Sequence, residues 1–122
     1  MASAYIAYTG KKGLIKCVSV EQGGEIDELG IQLMEYFKDF SDVRELTQSS
    51  LEYIEDGEAV YLYDLSDLSN EDYEFEEYVD KDDFTNSMWP TYYYLFENDR
   101  WYVAKPNCEE FKELETVLEE EY

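Results

Sequence analysis

The residues of this chain best suited to chemistry are carboxylates, and they are densest in one stretch. The 122 residues include 31 Asp and Glu, nine Lys and Arg and no His, which gives a formal net charge of −22. Between Asp64 and Asp83 only one base, Lys81, stands among ten acids. We therefore expect any site built on negative charge to lie there. The ten acids are Asp64, Asp67, Glu71, Asp72, Glu74, Glu76, Glu77, Asp80, Asp82 and Asp83.

Carboxylates alone support few kinds of catalysis. Without histidine the chain lacks the commonest general base and metal ligand, so Ser-His-Asp and Cys-His arrangements are excluded. The sequence contains neither of the glycine-rich patterns that bind phosphates. A pair of carboxylates can hydrolyse glycosides, but among 31 acids neighbouring pairs arise by chance and identify no residue. We predict that the protein is not an enzyme and uses no cofactor.

Residues 64–71 have some likeness to a calcium-binding loop, because Asp, Asn and Glu recur there at short intervals. An EF-hand loop needs glycine at its sixth position and a bidentate glutamate at its twelfth. Counted from Asp64, those positions hold Ser69 and Phe75. We therefore predict no metal site.

The charge balance excludes some partners and favours others. It excludes a basic surface for DNA, RNA or anionic lipid. A net charge of about 2–8 in magnitude is enough to keep a small domain soluble. The net charge of −22 is well beyond that need, which indicates that the negative electrostatic field of the protein has a function. Acids two apart on a strand, such as Glu74 and Glu76 or Glu25 and Asp27, project from one face about 6.7 Å apart. That spacing is of the same order as the phosphate spacing of a nucleic-acid strand, so such a row fits a DNA-binding groove.

Aromatic residues are interleaved with these acids. Tyr73 and Tyr78 lie within the acidic stretch, whereas we expect Phe75 and Phe84 to lie in the core. Tyrosine is enriched at the energetic centres of interfaces. We predict a partner-binding surface made of the ten acids, which steer the encounter, and of Tyr73 and Tyr78, which slow dissociation.

Three pairs of apolar runs predict β-hairpins. The members of each pair are rich in β-branched and aromatic residues and are separated by turn-forming residues, such as Asp56-Gly57 in the second pair. The pairs are 4–8 with 14–20, 51–54 with 59–63, and 92–96 with 101–104.

Two segments have the apolar spacing of amphipathic helices, 25–40 and 108–120. Asn107 followed by Glu110 is typical of a helix N-terminus. The chain has no repeat and no linker, which favours one domain over residues 1–122. We predict an α+β fold with an antiparallel sheet built from hairpins and the two helices packed on it. The apolar positions are Ile26, Leu29, Leu33, Met34, Phe37 and Phe40 in the first helix, and Phe111, Leu114, Val117 and Leu118 in the second.

The chain shows no sign of export. It has neither a secretory signal at its start nor an apolar stretch of membrane-spanning length. Cys17 and Cys108 lie 91 positions apart, outside any metal or redox spacing, and two buried thiols are expected more than a disulfide. We predict a cytoplasmic protein.

In size, charge, lack of histidine and richness in acids and tyrosine, the whole chain resembles a class of small acidic inhibitors from phages and mobile elements. The class includes anti-CRISPR proteins, anti-restriction proteins and inhibitors of uracil-DNA glycosylase, several of which mimic DNA. The resemblance rests on composition without a shared motif, so it assigns no residue.

This resemblance implies a stoichiometric inhibitor that blocks the DNA- or RNA-binding groove of a host defence nuclease complex in a bacterial cell. A CRISPR effector is the first expectation and a restriction enzyme the second. Two alternatives stay open. One is an immunity protein that neutralises a basic nuclease toxin, and the other is an acidic adaptor or chaperone for a basic partner.

Overall fold

The chain forms a mixed β-sheet, and the four helical segments named below pack on one of its faces. The computed structural model describes residues 3–10, 15–47, 51–61, 76–78, 84, 92–104 and 111–121, with the backbone alone given for 76–78 and 121. The strands are β1 (Ala4–Thr9), β2 (Ile15–Val20), β3 (Leu51–Glu55), β4 (Glu58–Tyr61), β5 (Glu76–Tyr78), β6 (Tyr92–Glu97), β7 (Arg100–Ala104) and β8 (Lys112–Glu113). The helical segments are a π-helical turn (Ile26–Gly30), α1 (Ile31–Tyr36), α2 (Phe40–Leu46) and α3 (Leu114–Glu121).

The three predicted hairpins are confirmed as the antiparallel pairs β1–β2, β3–β4 and β6–β7. In the turn between β3 and β4, Asp56 and Gly57 have φ of 49° and 80°. In the turn between β6 and β7, Asn98 and Asp99 have φ of 54° and 62°. Positive φ at both central residues matches the twist of the flanking strands, which explains why these residue types occur there.

The α+β class is confirmed, but the prediction of a purely antiparallel sheet is wrong. The strand order is β4-β3-β2-β1-β6-β7-β8, with β5 also paired to β2. β1 runs parallel to β6, with Ala4 opposite Tyr92, and β2 runs parallel to β3 at Val20 and Leu51. The central strands β1 and β6 are apolar at nearly every position because both of their faces are covered, as is usual for parallel pairs.

The strands divide the core into two clusters. Ile6 and Tyr94 point to the side covered by the helices, which we call the helical face. Tyr5 and Tyr93 point to the other side, where they meet Phe84, and we call this the Phe84 face. Side chains alternate between the two faces along each strand, as the pleat requires.

The prediction of one continuous helix over 25–40 is wrong. The segment begins as a π-helical turn, continues as α1, and breaks at Phe37, where φ is −125°. The Phe37 carbonyl accepts a hydrogen bond of 2.8 Å from Trp101 Nε1, which holds the break against β7. Asp39 is extended, so Phe40, predicted as the last apolar position of one helix, begins the next helix instead.

Gly30, which weakens a helix interior, has a packing reason. A Cβ at this position would lie 3.0 Å from Leu114 Cδ1, so glycine allows α3 to approach the π-helical turn closely.

The second helix begins later than predicted, at Leu114 instead of residue 108. Lys112 and Glu113 pair with Val103 and Tyr102 of β7, so this part of the chain is a short strand. Phe111 packs on the Phe84 face, while Leu114 and Val117 reach the helical face as expected. The predicted cap residues Asn107 and Glu110, and Cys108, lie outside the described residues; Cys17 is buried. Within the described ranges, no helix has the length and apolar character needed to cross a membrane.

Candidate interaction surface

The surface predicted between Asp64 and Asp83 lies mostly outside the described residues. Three of its members, Glu76–Tyr78, form β5 and pair with β2, with Glu77 opposite Lys16. They lie along the edge of β2 that β1 does not occupy. Phe84, directly after the stretch, is fully buried, which confirms its expected place in the core. The members outside the described residues are Asp64, Asp67, Glu71, Asp72, Tyr73, Glu74, Asp80, Asp82 and Asp83.

A second acidic surface, which sequence reasoning did not select, lies on the outer side of the π-helical turn, α1 and α2. The inner side of this segment buries Leu29, Leu33 and Val43 against the sheet. Because apolar residues occupy that side, the acids face solvent, and none of them is buried. We call these six residues the helical acids: Asp27, Glu28, Glu35, Asp39, Asp42 and Glu45.

Hydrogen bonds to backbone carbonyls fix this segment on the sheet at three points. Before the π-helical turn, the buried Tyr94 hydroxyl donates to the carbonyl of Gly24 at 2.8 Å. At the break between α1 and α2, Trp101 donates to Phe37, as described above. At the end of α2, the Tyr61 hydroxyl donates to the carbonyl of Leu46 at 3.0 Å. The start, middle and end of the acidic surface therefore have fixed positions.

The turn between β3 and β4 is attached to α1. Gln32 Nε2 donates to the Ile54 carbonyl at 3.0 Å, and the Gly57 N–H donates to Gln32 Oε1 at 3.1 Å. The Tyr36 ring lies directly over Gly57, so close that a Cβ there would be 2.5 Å from Tyr36 Cγ. This contact places the exposed acids of the hairpin, Glu55 among them, beside the helical acids.

The helical acids are not neutralised by neighbouring cations. Residues 26–46 contain two bases, Lys38 and Arg44, and among the described residues neither forms an ion pair with a helical acid. The ion pair seen in the described part joins Arg100 to Glu113 at 2.7 Å, away from this segment. Its hydrogen bond and the charge of Glu113 raise the pKa of Arg100. With six acids against two bases, residues 26–46 carry a net negative charge.

Large apolar side chains are exposed within the same segment. In the described part of the chain, the large hydrophobic residues that are exposed are Ile31 at 40%, Tyr36 at 48% and Phe40 at 38%. The combination of acids and aromatic rings that was predicted for residues 64–83 thus occurs here as well. A signal for this second surface was present in the sequence, because the polar positions of residues 26–46 hold more acids than bases. The spacing of the apolar residues alone does not reveal that excess.

Helix α3 adds carboxylates whose positions oppose the helix dipole. Glu119–Glu121 occupy its last turn, which contains no base. The carbonyl end of a helix is negative, so acids there are unfavourable. In α2, by contrast, Asp42 in the first turn and Arg44 in the last complement the dipole.

A cleft of about 380 Å³ opens between the end of α1, the turn between β6 and β7, and the start of α3. Its apolar lining consists of Met34, Phe96 and Trp101. Its charged lining consists of Lys38, Asp99, Arg100, Glu113 and Glu115. In the part of the chain that the structure describes, no three His, Cys, Asp or Glu side chains are grouped as a metal site requires.

No protein-family model, no curated protein and no solved structure matches this chain.

Proposed function

We propose that the protein is a stoichiometric inhibitor whose acidic, nucleic-acid-like surface blocks the DNA- or RNA-binding groove of a host defence nuclease complex. A CRISPR effector is the first candidate target and a restriction enzyme the second. The observation that carries the proposal is the set of six helical acids, solvent-facing and without ion pairs, beside the exposed rings of Tyr36 and Phe40. Such an inhibitor acts in the cytoplasm of a bacterial cell.

A net charge of −22 on a 14.5 kDa body destabilises the folded state through self-repulsion. A groove lined with Lys and Arg removes that repulsion on binding, and counterions are released from both surfaces, as they are when the groove binds DNA. The exposed rings supply apolar contact that slows dissociation.

Three charge-reversal variants with equal charge change test the proposal. The helical variant carries Asp27→Lys, Glu28→Lys, Glu35→Lys and Asp39→Lys. The segment variant carries Asp67→Lys, Glu71→Lys, Glu74→Lys and Asp80→Lys. The scattered control changes four acids outside both surfaces and the hairpin turn, none of them buried, namely Glu21→Lys, Glu52→Lys, Glu119→Lys and Glu120→Lys.

The measurement is DNA cleavage by a panel of CRISPR effectors and restriction enzymes with each variant in molar excess. Circular dichroism establishes that each variant is folded. We expect the wild type and the scattered control to inhibit a member of the panel, and the segment variant, the helical variant or both to lose inhibition. Equal loss in all three folded variants would mean that overall charge acts without a defined surface. Retained inhibition by both site variants would sink the mimicry proposal.

Salt gives a second, independent readout. Displacement of counterions makes affinity fall steeply between low and physiological salt. An affinity that does not change over that range would contradict mimicry.

Inhibition of a basic nuclease toxin with no effect on any defence complex would favour an immunity protein instead.

A further inference from the structure

We infer that the cleft between α1, the β6–β7 turn and α3 receives one cationic side chain, an arginine or a lysine, of the partner protein. This inference rests on the proposed function in one respect, since it assumes that the cationic side chain belongs to the nuclease partner. The existence of the binding site itself does not depend on that function.

The floor of the cleft suits the body of such a side chain. Met34, Phe96 and Trp101 are apolar, and the two rings meet edge to face with centroids 5.2 Å apart. The hydrogen bond from Trp101 Nε1 to the Phe37 carbonyl fixes the indole in one orientation before any ligand arrives. Methylene groups pack on this floor, and a cation is attracted to the face of an aromatic ring. A rigid floor also reduces the entropy lost on binding.

The charges around the cleft leave room for one cation. Arg100 and Glu113 neutralise each other in their ion pair. Among the described residues that line the cleft, the remaining charges are the carboxylates of Asp99 and Glu115 against the ammonium group of Lys38. One incoming cation therefore neutralises the charge of these residues. An incoming anion would add to the negative charge of a cleft in a molecule that already carries −22.

The existing ion pair does not block the entrance. The Arg100 side chain is 65% exposed and that of Glu113 is 39% exposed, so their pair is solvated and contributes little to stability. An incoming guanidinium group can share the Glu113 carboxylate or replace Arg100 on it. The volume of about 380 Å³ lies near the lower end for small-molecule sites, which suits a single side chain better than a cofactor.

Ethylguanidinium is the probe for the test, and sodium acetate and inorganic phosphate are the comparison ligands. Each is titrated into the full chain while the indole N–H resonances are followed by NMR. The chain has two tryptophans, so Trp89→Phe assigns the Trp101 signal. We expect ethylguanidinium to shift the Trp101 resonance saturably, with no saturable shift from acetate or phosphate.

Variants locate the binding. Asp99→Asn and Glu115→Gln each remove a carboxylate of the cleft, and each should raise the Kd for ethylguanidinium about tenfold. Glu21→Gln is the matched control, since it removes the same charge from an exposed position that does not line the cleft. An equal effect of Glu21→Gln, saturable binding of acetate or phosphate, or the absence of any shift would overturn the site.

The nuclease assay separates this inference from the proposed function. If the cleft is used by the partner, Asp99→Asn combined with Glu115→Gln weakens inhibition more than Glu21→Gln combined with Glu119→Gln does, since both pairs remove two charges. Unchanged inhibition in a double variant that no longer binds ethylguanidinium would remove the partner's side chain as the ligand and leave the proposed function standing. If the protein binds ethylguanidinium in the cleft but inhibits no nuclease, the cation site stands and the proposed function fails.

Discussion

The contacts described on the two faces of the sheet differ in kind. On the helical face, side-chain hydrogen bonds from Tyr94, Trp101 and Tyr61 reach backbone carbonyls of the covering segment. On the Phe84 face, rings pack on rings: Phe84 meets Tyr93 edge to face at 4.9 Å and stacks on Phe111 at 6.2 Å. Within the described residues, directional bonds therefore position the segment on the helical face, and ring packing buries Phe84 on the other face.

This difference bears on the acidic surface. The helical acids repel one another, and apolar packing alone is non-directional, so it allows a repelled segment to shift. Hydrogen bonds at the start, middle and end of the segment hold it in one place. The helical face therefore presents its charges in a fixed arrangement, which reduces the entropy that a basic groove must overcome on binding.

The largest expected effect belongs to the Phe84 face. Phe84→Ala removes a fully buried ring that contacts Tyr5, Tyr93 and Phe111. We expect the free energy of unfolding to fall by about 3–5 kcal/mol, because a large cavity replaces the ring. Urea unfolding measures the change. Phe111→Ala, at a half-buried position, is the control and should cost less. A loss below about 1 kcal/mol would show that Phe84 is not the main cover of this face.

The next effect concerns the attachment of α1 to the hairpin turn. Gly57→Ala should destabilise the fold by about 2–3 kcal/mol, since alanine is strained at a φ of 80° and its Cβ overlaps the Tyr36 ring. Part of this cost should disappear when Tyr36 is also alanine, leaving the backbone strain of about 1–2 kcal/mol. A double-mutant cycle by urea unfolding measures both parts. Additive costs would mean that the ring and the turn are not in contact.

The sequence predicted the local pairings well because turn chemistry is local. Asp56-Gly57 adopts a tight turn with positive φ, which places the apolar runs on either side of it next to each other. The same reasoning held for the turn at Asn98 and Asp99. The expectation that Phe84 lies in the core rested on the usual burial of phenylalanine rings, and it is confirmed.

The non-local features were missed for physical reasons. The parallel pairing of β1 with β6 joins residues about 90 positions apart, and no turn connects them. The continuous apolar runs of both strands were the available signal, since strands buried on both faces do not alternate. The break at Phe37 depends on a hydrogen bond from Trp101, 64 positions away, which helical periodicity does not contain. The helical acids were overlooked because periodicity assigned their segment to the core without weighing its outer side.

A smaller effect tests one hydrogen bond of the helical face. Tyr94→Phe removes the donor to the carbonyl of Gly24, and both residues are buried. An unsatisfied buried carbonyl should lower the free energy of unfolding by about 1–2 kcal/mol. Tyr92→Phe on the same strand, at a half-buried position, is the matched control and should have almost no effect. Equal effects of the two variants in thermal or urea unfolding would contradict the role assigned to Tyr94.

The smallest effect is a pH dependence at the end of α2. Burial raises the pKa of Tyr61 above its usual value of 10.0, and the negative charge of Glu45 raises it further. In the unfolded chain this phenol loses its proton at lower pH than in the folded protein, so the stability that depends on the protonated hydroxyl is present below about pH 10 and is lost as the pH rises above it.

Tyr61→Phe isolates this contribution. At neutral pH the variant should be less stable by under about 1 kcal/mol, because its ring no longer donates to the carbonyls of Leu46 and Glu45. The difference between wild type and variant should shrink as the pH rises above about 10, since the wild type alone loses this bond. Urea midpoints at neutral pH and above about pH 10 measure it, and the other tyrosines are the same in both proteins. Glu45→Gln should weaken the alkaline loss in part. A constant difference across the range would show that the hydroxyl of Tyr61 does not hold α2 to the sheet.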